Sequence, residues 1–333
     1  MGIEILNIQK EEMRKKAATT TAILGDGILN RVQNNKFIDL TIEYQKVLQD
    51  ITTRPVDHPK GEIDKIILSG NVLRKQNSEG GTETTTHTPS VTNVEYDTEQ
   101  LVACFDLTIQ ADSDSIEKKG FKSTMIRMFS SAISNDLAQL VIEGDDSLGS
   151  STDAQKLLKS FDGIHIQTQL CPNLLDVNGL GVSLLMYKDL MGKLPNKWKK
   201  GNYKSRYKFI NGINVVEDMQ YTFANRATAG GDKGWTGNVV LAPFGIPIVE
   251  WPFIPEDLTI GTAQTDGTFA LLADPKNFIL FVQRNIKFYF DFRPRKGLTE
   301  VTIYMCCDFK IVEQDMIAKA RSISCDASSV YTG

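Results

Sequence analysis

Apolar and polar residues follow one another along this chain in a series of distinct periods. Phe37, Leu40, Tyr44, Val47 and Ile51 recur at spacings of three and four, which predicts an amphipathic helix over 37–51. Pro55 and Pro59 forbid its continuation. Two strand-like runs follow, 63–74 and 101–110. In the second, Leu101, Ala103, Phe105, Leu107 and Ile109 make one apolar face with period two. The stretch 75–98 between them is rich in Ser, Thr, Gly and Glu, and is longer than an ordinary connection. Flanked by strands, it reads as the mobile tip of a two-stranded ribbon.

A helix over 116–143 comes next. Asp114 or Ser115 can cap its free N–H groups. Phe121, Met125, Met128, Phe129, Ile133, Leu137, Leu140 and Val141 form its apolar face, with Phe129 and Ile133 turned toward a sheet. Gly144 ends it. At its predicted length it spans roughly 40 Å, the dimension of a structural spine.

Residues 176–274 change character and read as a second domain. A helix at 183–194 leads into mixed strands and glycine-rich turns. Pro243, Pro247, Pro252 and Pro255 confine 242–255 to sheet edges or extended chain. The chain then returns to strands. Ile286, Phe288, Phe290 and Phe292 alternate with polar residues, 294–297 reverses the chain, and Val301, Ile303, Met305, Cys307 and Phe309 form the return strand. A short helix is predicted over 313–320. At the other end, residues 1–35 read as an arm interrupted by Gly25-Asp26-Gly27.

Composition narrows the function classes. The 333 residues are 41% hydrophobic and 23% charged, with a net charge of −4, which argues against a simple genome-coating polycation. Cys104, Cys171, Cys306, Cys307 and Cys325 form no CxxC pair, and with three histidines they offer no zinc-site spacing. This odd cysteine count suits reduced thiols in a cytoplasm. No apolar run reaches signal-peptide or membrane-spanning length, so no membrane partner is expected.

Candidate chemistry is sparse. Gly179-Leu180-Gly181 lacks the third glycine and the preceding strand of a dinucleotide loop. Glu143-Gly144-Asp145-Asp146 lacks calcium-loop spacing and reads as solvated acid. The stretch 193–208 interleaves Lys193, Lys197, Lys199, Lys200, Lys204, Arg206 and Lys208 with Trp198, Tyr203 and Tyr207. Such a mixture can bind single strands, but its shortness favours a solvated or inter-subunit surface. His58 and His87 lie in loops and His165 in a predicted strand, and none makes a catalytic triad. The reading is therefore of no enzyme, no cofactor and no metal.

This α+β order of segments resembles the major capsid proteins of tailed bacteriophages, the Hong Kong 97 fold. Gly25-Asp26-Gly27-Ile28-Leu29 leading into Phe37-Ile38-Asp39-Leu40 is similar to that family's N-terminal arm. The run 63–110 looks like its E-loop ribbon. Ile142-Glu143-Gly144-Asp145 with Phe161-Asp162-Gly163-Ile164 looks like the spine helix and its exit. Asn225-Arg226-Ala227-Thr228, Gly231-Asp232 and Phe244-Gly245-Ile246-Pro247-Ile248 look like axial-domain turns. Pro275-Lys276-Asn277-Phe278 and the hairpin to Phe309 look like the return to the peripheral domain.

The resemblance implies an arm at 1–60, an E-loop at 61–112, a peripheral domain with the spine helix at 113–175, an axial domain at 176–274 and a peripheral return at 275–333. It implies a subunit that assembles with itself through pentamers and hexamers into an icosahedral shell around double-stranded DNA. Scaffolding, portal and decoration proteins, and weak non-specific contact with packaged DNA, are its implied partners. The location it implies is the virion, with host cytoplasm during assembly. Candidate inter-subunit contacts are Phe37, Leu40 and Tyr44 on the helix, and Lys75, Asn77, Glu79, Thr84 and Thr85 at the ribbon tip. The Lys–Asn cross-link of some family members cannot be placed here. Two alternatives remain at this point: an encapsulin-type compartment enclosing cargo enzymes, and an α/β enzyme with a lid at 75–98.

Overall fold

The computed structural model of the chain describes residues 45–67, 89–108, 121–224, 241–260, 264–283, 287–325 and 331–332. Two main sheets and a separate ribbon organise them. In the first sheet the central strand is β12, Leu298–Ile311. On one flank it pairs successively with β10, Phe278–Gln283, and β11, Lys287–Arg293; on the other it pairs with β4, Glu99–Thr108. The edge strand β1, Thr52–Val56, runs parallel to β10 and holds Pro55, which an edge tolerates. The predicted hairpin is present, its turn closed by Gly297 with φ of 62°.

The amphipathic helix expected over 37–51 is described from α1, Lys46–Asp50, where Val47 and Leu48 are buried. The long helix α2 is Phe121–Glu143. It lies along the first sheet, with Phe129 stacked on Phe105 of β4 at 3.5 Å between ring centroids. Its C-terminal half, from Leu137 to Ile142, shares a core with Phe278, Phe309 and Ile311. The apolar stripe read from sequence needs correction at Met128, which is 60% exposed. The face that closes on the core instead runs through Ser130, Ser134, Leu137, Ala138 and Val141, all buried. Small residues there let the helix approach closely, and hydropathy gives no sign of them. Gly144 follows the last helical residue at a position where a Cβ would strike the Phe161 and Leu140 carbonyls, and Gly163 N–H donates to the Gly144 carbonyl at 2.8 Å.

The second sheet has the order β5, β13, β9, β6, β7, with β8 also on β9. Its strands are β5 Leu174–Leu180, β6 Lys208–Asn211, β7 Ile248–Glu250, β8 Leu258–Ile260, β9 Gln264–Ala273 and β13 Ala318–Ser324. Alternation along β9 serves two cores. Phe269, Leu271 and Ala273 face the first sheet and α2, whereas Ala270 and Leu272 face the helix Leu184–Lys193 and its neighbours.

The sequence reading places no strand before Gly181, and β5 supplies one; three further expectations are overturned here. The predicted helix over 313–320 is a single turn, Gln314–Met316, followed by β13, a central strand with buried Ala318, Lys319 and Ala320. His165 sits in a helical turn, Ile164–Gln167, not in a strand. The two runs expected to pair as the ribbon do not pair. The first of them, as β2 Lys60–Ile67, pairs with β3 Ser90–Asp97, which lies within the stretch read as loop, and β4 joins the first sheet.

Candidate inter-subunit surface

The β2–β3 ribbon is built so that one face grips the body and the other faces outward. At its root Thr98 N–H donates to the Pro59 carbonyl at 2.8 Å, and Asp97 N–H donates to the Asp308 carboxylate at 2.8 Å. Asp308 is buried, and burial pushes its carboxyl above the usual carboxylate range despite Lys310 nearby and amides from Asp97 and Phe309. Tyr96 stacks on Phe281 at 4.5 Å, and its ring lies over Gly61, where any Cβ would collide with it. Further out, Lys65 Nζ donates to the Val312 carbonyl at 2.6 Å. That crossing is itself pinned by Asn277, which donates to the Glu313 carbonyl at 2.8 Å and accepts from Glu313 N–H at 3.0 Å.

The contacts progress from Asp308 to Val312 as the ribbon leaves its root. It therefore projects past the C-terminal end of β12, while Phe129 of α2 stacks beside Val301 near the other end. The outward ribbon face carries the cross-strand pairs Lys60–Asp97, Glu62–Glu95, Asp64–Asn93 and Ile66–Val91.

No protein-family model matches the chain. A putative prophage capsid protein, YqbE of Bacillus subtilis strain 168, is 27% identical over 313 residues, covering 93% of this chain and 97% of the relative. Among solved structures, a chain of the satellite phage P4 procapsid that includes the size-determination protein Sid superposes with a TM-score of 0.66. That likeness is at 14% identity and covers 94% of this chain and 98% of that one. The holo-SrpI encapsulin complex of Synechococcus elongatus PCC 7942 gives a TM-score of 0.50 at 10% identity, over 86% and 91% of the two chains. The chain has the Hong Kong 97-like capsid fold.

On this capsid fold the sequence-predicted contacts are placed as follows. Phe37, Leu40, Tyr44, Lys75, Asn77, Glu79, Thr84 and Thr85 all lie outside the described residues, as do residues 1–44 of the expected arm and the stretch 225–232 read from sequence as axial-domain turns. The basic stretch is partly tied to its own chain: Lys197 pairs with Asp315 at 2.5 Å, Lys208 with Asp50 at 2.6 Å, and Lys204 donates to the Phe244 carbonyl at 2.7 Å. Asp145, Asp146 and Asp162 do come together, but two of them serve local amides: Asp145 accepts from Ser147 N–H and Asp162 from Asp146 N–H.

Sequence reasoning missed the groups buried around β13. Lys319 Nζ donates to the His165 carbonyl at 3.1 Å and to Thr168 Oγ1 at 3.0 Å, and lies 4.5 Å from the centre of the Phe269 ring. Burial pulls its ammonium down to about 8, and burial together with Lys319 pulls His165 down to about 4. No motif marks these residues, because the contacts join segments about 150 positions apart. No helix among the described residues is long and apolar enough to cross a membrane.

Proposed function

We propose that the chain is the major capsid protein of a tailed phage or prophage. It assembles with its own copies, through pentamers and hexamers, into an icosahedral shell that encloses double-stranded DNA. The observation that carries this is the whole-chain likeness to the satellite phage P4 procapsid chain, joined to a ribbon that leaves the body instead of closing over it. A shell of repeated copies needs large self-complementary or head-to-tail contacts, and a projecting ribbon supplies one. In this reading β2–β3 is the E-loop, α2 the spine, the first sheet the peripheral domain and the second sheet the axial domain. The finished protein resides in the virion and passes through the host cytoplasm during assembly. It works as a structural subunit and not as an enzyme.

The encapsulin reading shares the fold, and particle contents separate the two. Particles recovered from producing cells should protect double-stranded DNA of uniform length from nuclease. Particles holding a specific protein cargo and no DNA would reverse the assignment.

A further inference from the structure

The connection that leads from the helix Leu184–Lys193 into β6 carries charge out of proportion to the chain. Residues 188–206 hold seven Lys and Arg against a single acid, Asp189, in a chain whose net charge is −4. The stretch is fixed from beneath. Leu194 and Tyr207 are buried in the core of the second sheet, and Trp198 and Tyr203 pack half-buried against it. Tyr203 and Tyr207 meet edge to face, 6.0 Å between ring centroids. At the sides, Lys197 pairs with Asp315 and Lys204 donates to the Phe244 carbonyl.

The other cations point away from these anchors. Lys188, Lys193, Lys200 and Arg206 are exposed and Lys199 is half-buried. None of the five pairs with a carboxylate among the described residues. Asp189, the one acid of the stretch, instead accepts from the Tyr331 hydroxyl at 3.2 Å. The surface is thus a held array of unmatched cations, and its self-repulsion favours an anionic ligand.

The rings decide which anion. Trp198, Tyr203 and Tyr207 are committed to the core, so no ring of this stretch stands free for a base to stack on. A duplex, whose bases are already stacked and whose phosphates face outward, needs no such ring. Carboxylates of a second copy fit less well. Around the second sheet Asp176 is held by Arg321, Glu256 by Asn214 and Asp315 by Lys197. Each duplex phosphate, by contrast, can exchange a condensed counterion for a lysine.

We infer that residues 188–206 form a phosphate-binding surface for double-stranded DNA, which turns this flank of the second sheet toward the interior of the shell. The contact is neutral to base sequence, because phosphates carry none. The inference rests on the shell reading and adds to it where the enclosed duplex is touched and which way the subunit faces.

The test uses the full chain. Unassembled protein titrated with a fluorescent duplex of random sequence should bind with an affinity that falls steeply with salt. Lys193→Gln, Lys200→Gln and Arg206→Gln together should weaken binding on the order of tenfold and flatten the log–log salt slope by about 2 to 3. Melting and particle yield should stay as in wild type. A matched control at Lys156, Lys159 and Lys296, also exposed, should leave affinity and slope unchanged. In assembled particles Lys193 and Lys200 should be acetylated several-fold more slowly when the particle is filled with DNA than when it is empty. Wild-type affinity in the triple variant, an equal loss in the control, or equal acetylation of filled and empty particles would overturn the inference and leave the shell reading intact. Lost particle yield with unchanged DNA affinity would overturn it too, giving the surface to a second copy. Absence of particles from the wild-type chain would remove the shell reading, and the interior placement with it.

Discussion

The carboxylate of Asp308, buried at the centre of the first sheet, accepts the backbone N–H of Asp97 at 2.8 Å and so ties the root of the ribbon to strand β12. Removing the acceptor leaves the part-buried Asp97 amide and the buried Phe309 amide without it, a loss of about 1–3 kcal/mol. Asp308→Ala should therefore lower the denaturation free energy by that amount and speed exchange of the Asp97 amide. Asp308→Asn, whose carbonyl can still accept, should retain most of the stability. Equal losses in the two variants would show that the hydrogen bond is not what matters at this position.

Gly61 and Tyr96 face each other across the same root, and the ring occupies the space a Cβ would need. Gly61→Val should push Tyr96 off Phe281. Amide exchange across 62–66 and 91–96 should rise several-fold, while the core of the two sheets unfolds within about 1 kcal/mol of wild type. Unchanged protection of the ribbon in this variant would contradict the root described above.

His165 contributes to the pH response with a definite sign, opposite to that of the raised Asp308 carboxyl. Its folded-state value, about 4, lies below the ordinary value of 6.5. Between these two values the unfolded chain binds more protons than the folded one, so stability falls as pH is lowered from about 6.5 toward 4. The depression corresponds to a loss on the order of 3 kcal/mol once both states are protonated. Denaturation midpoints from pH 7 to 4 should show this slope, and His165→Gln should flatten it. A slope identical in the variant would assign it to other groups.

The long helix provides a contrast between two of its own positions. Leu140 is fully buried, and Leu140→Ala should cost about 2–5 kcal/mol and reduce soluble yield. Met128 is exposed, and Met128→Ser should shift the stability of the unassembled protein by under about 0.5 kcal/mol. Chemical denaturation of the two variants separates them, and a large loss at Met128 would mean the helix is rotated from the orientation described.

Much of this architecture could be read from residue periods. The long helix and the β11–β12 hairpin each carry an apolar pattern strong enough to identify alone, and Phe129 and Ile133 do face the first sheet. β3 was hidden because a ribbon exposed on one face and only half-buried on the other needs no apolar stripe: Thr92, Asn93 and Glu95 stand among Val91, Val94 and Tyr96. β13 was hidden for the opposite reason. Ala318, Lys319 and Ala320 favour a helix in isolation, and only their placement between β5 and β9 makes them a strand. Deleting 76–98, which the sequence suggests as removal of a loop, would in fact remove β3 and the Thr98 contact at the ribbon root. The anchors Asp308, Asn277 and Lys65 were illegible because each acts on a segment distant in sequence.

Assembly with copies of itself is the function proposed for this chain. Electron microscopy of the purified full chain, produced alone and together with the remaining structural proteins of its source, tests it most directly. Closed shells with icosahedral symmetry, or rings of five and six copies at lower concentration, are expected. A chain that stays monomeric at high concentration in every salt condition and in both preparations would contradict it.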